Sequence, residues 1–132
     1  MPDVERIQEL LGDGVEYRGA ALKVRRRVVD VTLPSARRQR VECREDTTHV
    51  LLESIAARDA DTTFGRAEID ELILRTNHAQ EAVGLRRRDG ALVVFLKVLK
   101  TTLDRNEAVH AILAVAREAD RIEQAVTGRD VE

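Results

Sequence analysis

The chain has 132 residues, a formal net charge of −2 and one cysteine. That length suits a single domain burying roughly two-thirds of its unfolded surface, enough for a core without metal or disulfide staples. An apolar fraction of 43% speaks against disorder, and the lone Cys43 excludes an intrachain disulfide and fits a reducing compartment.

The first segment, Pro2 to Leu11, places Val4, Ile7, Leu10 and Leu11 at spacings of three and four, one apolar helical stripe. Pro2 suits a first turn, and Gly12-Asp13-Gly14 stops the helix. From Val15 the period changes. Leu22, Val24, Val29, Val31, Leu33, Val41 and Cys43 nearly alternate with charged residues, which predicts strands with one wet face. Pro34 to Arg37 reads as the turn of an antiparallel hairpin, since proline suits a strand end.

His49 to Ala57 fits either a helix or a buried strand, and the strand is preferred because it extends the sheet before the polar break at Arg58 to Asp61. Gly65 to Val83 reads as a helix with Ile69, Leu72, Ile73 and Thr76 on one face and Gly84 as its stop. Leu85 to Arg88 and Ala91 to Leu99 form a second hairpin about Asp89-Gly90, a strong turn signal. Leu92, Val94, Leu96 and Val98 point to one side of the last strand, and Val93, Phe95 and Leu99 to the other. A strand apolar on both sides is usually covered on both sides, so this one needs a second cover. Thr101, Thr102 or Asp104 opens a long final helix, with Asp104 and Glu107 as a capping box. Its stripe runs from Val109 through Ile112, Leu113, Ala116, Ala119 and Ile122 to Val126, and Gly128 stops it. The expectation is one α+β domain over residues 1–128 with a frayed tail at 129–132. It holds an antiparallel sheet of about five strands and an N-terminal, a middle and a long C-terminal helix.

The chain lacks the phosphate-binding, dinucleotide-binding, nucleophile-elbow and zinc-protease motifs and has no CxxC pair. Cys43 has the inward phase of a strand and reads as core packing, while His49, His78 and His110 lack metal-ligand spacing. No catalytic residue, metal site or cofactor is expected. Glu68, Asp70 and Glu71 read as a solvated helix start favoured by the helix dipole. The arginine runs carry more weight. Arg25, Arg27, Arg38, Arg40, Arg86 and Arg88 lie in or beside strands and form a basic margin. Neighbouring strand residues point to opposite faces, so no arginine triplet lies on one side. With few aromatics for stacking, an acidic protein partner ranks above nucleic acid.

The second half carries a family pattern: a helix ending in glycine, the hairpin on Asp89-Gly90, the strand Ala91-Leu92-Val93-Val94-Phe95-Leu96, then Thr102-Leu103-Asp104 opening the last helix. This resembles the type III secretion chaperone-like superfamily and the related YbjN-type proteins, most closely over residues 66–126. The arginine-rich meander departs from that pattern. The resemblance implies helices packed on a sheet, a homodimer and a surface that holds extended client segments. Val93, Phe95 and Leu99 are then the face for a client or a dimer mate. The expected function is a non-catalytic, chaperone-like or adaptor protein. A nucleic-acid-binding regulator using the arginine strands is the alternative, and a small enzyme with a pocket among Cys43, His49, His78 and Glu53 the second. The start Met-Pro-Asp-Val-Glu-Arg lacks the basic and apolar regions of a signal peptide, and no apolar run approaches the roughly 20 residues of a membrane span. A soluble, cytoplasmic protein is expected.

Overall fold

The structure is a computed structural model, and it describes residues 5–79 and 83–127, with the backbone alone at 78 and 79. The chain is α+β. In order it forms α1 (Arg6–Leu11), β1 (Gly14–Tyr17), β2 (Ala20–Arg25), β3 (Val28–Thr32), β4 (Arg38–Glu45), β5 (His49–Arg58), a 3-10 turn (Asp59–Asp61), α2 (Arg66–Ala79), β6 (Gly84–Arg88), β7 (Ala91–Leu99) and α3 (Arg105–Thr127). All strands join one antiparallel sheet in the order β1-β2-β3-β4-β5-β7-β6. No helix among the described residues is long and apolar enough to cross a membrane.

The sheet has seven strands where about five were expected. Val15 to Arg25 divides into β1 and β2 about the two-residue turn Arg18-Gly19, where both residues have positive φ. That is the primed turn geometry that matches strand twist, reached here without an Asn-Gly or Asp-Gly signal. The ambiguous segment is the strand β5, placed at the sheet centre between β4 and β7. Asp89 and Gly90 turn the second hairpin, with φ of 52° and 75°. The stretch between Ala79 and Val83, where Gly84 was expected to stop α2, lies outside the described residues, and Gly84 itself is in a strand. It opens β6 opposite Phe95, and a Cβ there would overlap the Phe95 ring.

The helices cover one face of the sheet. Leu22, Val24, Val29, Val31, Val41, Cys43, Val50, Leu52, Leu85, Leu92 and Val94 are buried there with Ile7, Leu11 and Ile69 of the short helices. The whole expected α3 stripe, Val109 to Val126, is buried against them. Its capping box forms: the Glu107 N–H donates to Asp104 Oδ1 at 2.8 Å and the Asp104 N–H to Glu107 Oε1 at 3.1 Å. At the other end the Val126 carbonyl accepts from the Thr63 N–H at 2.6 Å and from the Thr62 and Thr63 hydroxyls. The expected helix start at Pro2 and the stop at Gly128 lie outside the described residues. The cap of α1 comes from far along the chain, because Glu45 Oε2 accepts from the Arg6 and Ile7 N–H groups at 2.6 and 3.4 Å. Asn77 closes the β6 edge. Its amide donates to the Leu85 carbonyl at 2.9 Å and accepts the Leu85 N–H at 2.6 Å, the bonds a further strand would make.

Two substitutions test this packing. Asp104→Ala removes an N-cap and should cost about 1 kcal/mol by chemical denaturation. Gly84→Ala should cost about 1–3 kcal/mol, since the Phe95 ring must leave its seat.

Candidate functional site

The second face of the sheet has no helix over it among the described residues. Strand alternation assigns to it Lys23 and Arg25 of β2, Asp30 of β3, and Arg38, Arg40, Glu42 and Arg44 of β4. It also assigns Leu51, Glu53 and Ile55 of β5, Val93, Phe95, Lys97 and Leu99 of β7, and Arg86 and Arg88 of β6. Cross-strand rows order them. Lys23 lies opposite Asp30 and Asp30 opposite Arg40. Glu42 lies opposite Glu53, and Glu53 opposite Phe95, which faces Gly84.

Glu53 is the hub of this face. It is 2% exposed although no helix covers it. Its Oε2 accepts from Arg86 Nη2 and Arg88 Nη1, both at 2.5 Å, and Arg44 Nε stands 3.6 Å from Oε1. Burial alone pushes the Glu53 carboxyl up, but hydrogen bonds from Arg88 and Arg86 and the charges of Arg88 and Arg44 outweigh it and hold it below its ordinary value. Arg44 also reaches Glu42 at 4.0 Å, which offsets the repulsion of two carboxylates directly opposite on neighbouring strands. Val93 is 1% exposed yet lies outside the helix-covered cluster, beside a cavity of about 80 Å³ that it lines with Arg40, Glu42, Glu53, Ile55 and Arg88.

Phe95 is half-buried. The Arg86 guanidinium carbon lies 4.5 Å from its ring centre, in a cation–π contact. Along the same line Ile55 is 40% and Leu99 53% exposed, with Leu51 half-buried between them. Val93, Phe95 and Leu99 thus share one face, as the alternation predicts, with Val93 deepest and Leu99 outermost.

The expected basic margin divides into parts. Arg25 and Arg40 share Asp30 at 2.6 and 3.4 Å, Arg86 and Arg88 hold Glu53, and Arg38 makes no ion pair among the described residues. Arg27 is off the face, in the β2–β3 turn, bonded to Glu5 at 3.3 Å. Arg37 and Arg87 serve the helix side through Asp120 at 2.9 Å and Asp70 at 2.5 Å. The split follows from alternation, which sends the middle residue of Arg86-Arg87-Arg88 through to α2. Arg44, Leu51, Glu53, Ile55 and Lys97 join the face without having been singled out for it. The phase of β5 against β7 is the signal that finds them.

The soft and titratable groups do not gather. Cys43 is buried on the helix side, and burial, then Glu45, Glu5 and Glu42, push its thiol up to about 12, so it stays protonated at neutral pH. The cavity beside Glu53 contains neither Cys43 nor His49. His110 meets the Tyr17 hydroxyl at 3.0 Å on the far side of the sheet, and the His78 side chain lies outside the described residues. No group of three or more His, Cys, Asp or Glu among the described residues could hold a metal ion.

Because the Glu53 carboxyl is held low, it contributes stability above its unfolded value of about 4.3 that is lost as pH falls through the folded value. Glu53→Gln should cost about 1–3 kcal/mol at neutral pH, below a fully buried pair because the arginines are partly exposed. The variant should also lose less stability than the wild type on acidification below about pH 4, as read by denaturation at a series of pH values. No family model and no curated protein matches the sequence.

Proposed function

We propose that the chain is a non-catalytic protein-binding module, chaperone-like or adaptor in character, whose open sheet face docks a segment of another protein. The observation that carries this reading is the line of apolar side chains Leu51, Ile55, Phe95 and Leu99 on a face over which no helix lies among the described residues. One-sided antiparallel sheets normally present polar residues to water, so a contiguous apolar line there marks a contact surface. Its surround is charged, the pattern of an apolar interface centre with a polar rim.

The family resemblance implies a homodimer, and a second copy of the chain is the other candidate cover for this line. The cations Lys23, Arg38 and Lys97 beside it favour a partner of opposite charge.

Leu99→Asp and Ile55→Asp suit the test because both positions are exposed, and stability should change by about 0.5 kcal/mol or less. Phe95 is unsuitable, being packed on Gly84 and Arg86. The folded Leu99→Asp/Ile55→Asp protein is expected to lose the partners that the wild type captures from its host. Retention of all of them, at equal yield, contradicts the reading. Light scattering on the same samples reports whether the mass of one chain or two survives the change.

A further inference from the structure

We infer that the occupant of the open face is an acidic segment of a partner protein, with its carboxylates over β2–β4 and its apolar side chains against Ile55 and Leu99. The inference rests on the protein-binding reading and adds the partner's chemistry.

The argument is charge placed beside apolar surface. Lys23, Arg25, Arg38 and Arg40 line a shallow groove of about 710 Å³ on the open face. Asp30 is the one acid lining it, and Arg25 and Arg40 already share its carboxylate. Lys23 and Arg38 make no ion pair among the described residues, and neither does Lys97 farther along the face. The whole chain carries −2, so these cations are a local concentration and not the surface of a basic protein. Four cations on β2 and β4 thus flank a single carboxylate on β3 between them, and carboxylates from a partner balance the remainder while steering the encounter. At its β4 side the groove adjoins the Glu53 cavity, where Ile55 and Val93 are two of the walls, since Arg40 lines both. A segment crossing from one to the other meets cations first and apolar side chains next.

Nucleic acid would meet the same cations with no ring beside them on which a base could stack. Among the described residues Phe95 is the one Phe, Tyr or Trp on the face, its ring lies against Gly84 and Arg86 occupies its π surface, while the His49 ring, opposite Leu99 and bonded to Thr48, does not line the cationic groove. Single-strand binders depend on open stacking platforms beside their cations.

The test measures fluorescence anisotropy of the full chain with three labelled probes. They are a peptide of alternating Glu and Leu, the same peptide with Gln for each Glu, and a single-stranded oligonucleotide matched to the first in charge. The Glu–Leu peptide should bind at low salt, at least about tenfold tighter than the Gln version, and weaken steeply as salt rises. Lys23→Glu/Arg38→Glu should lower its affinity about tenfold or more with circular dichroism unchanged, whereas Arg105→Glu, on α3 and off the face, should not. Failure of the Glu–Leu peptide to bind, equal binding of the Gln version, or tighter binding of the oligonucleotide overturns the inference. The two readings separate on the partner captured from the host. If Leu99→Asp abolishes its binding but salt and Lys23→Glu/Arg38→Glu do not affect it, the acidic-segment inference fails and the protein-binding reading stands. If neither substitution matters, both fail.

Discussion

Glu53 sits near the middle of the sheet with Glu42 on one side and Phe95 on the other, and its carboxylate receives Arg86 and Arg88 on one oxygen with Arg44 near the second. An isolated buried carboxylate would cost several kcal/mol or take up a proton. Here the arginines keep it charged, and the guanidinium of one of them, Arg86, also lies over the Phe95 ring. Val93 is buried beside them although no helix packs on that side. The cluster stands where a second helical layer would otherwise have to be, and the rest of the open face is arranged around it.

That arrangement explains why both hands of β7 are apolar. Leu92, Val94, Leu96 and Val98 meet the helix-covered core. Val93 is screened by the charged cluster, and Phe95 is held between Gly84 and Arg86. Apolar surface reaches solvent most at Ile55, opposite Val93 at one end of the line, and at Leu99 at the other. The two-sided ribbon is therefore largely managed by its own chain, and the part left over is narrow. A narrow apolar line with cations beside it suits an extended partner segment better than a broad flat interface.

Much of this was legible in the residues. The capping box at Asp104 and Glu107, the Asp89-Gly90 turn and the α3 stripe are local signals, and local chemistry determines them. The inward phase of Cys43 follows from strand alternation alone. The turns at Arg18-Gly19 and Arg26-Arg27 were not legible, because arginine at positive φ carries no turn signal and sheet pairing imposes the geometry. Glu45 capping α1 joins segments that only the fold brings together. The role of Glu53 was hidden for a similar reason. His49 to Ala57 fits a helical or a strand period, and only the register against β4 and β7 sets the Glu53 carboxylate among arginines from two strands, β4 and β6. Arg27, Arg37 and Arg87 show the limit of reading charge runs as patches, since each pairs away from the open face.

The central proposal is that Leu99 and Ile55, exposed among the described residues, are covered by a different, acidic protein. Site-specific photo-crosslinking from a benzophenone side chain at position 99, in the native host, addresses it most directly. The account predicts a crosslink to another protein, within a segment rich in Asp and Glu. A crosslink that joins only a second copy of this chain, or nucleic acid, or no crosslink above background, would contradict it.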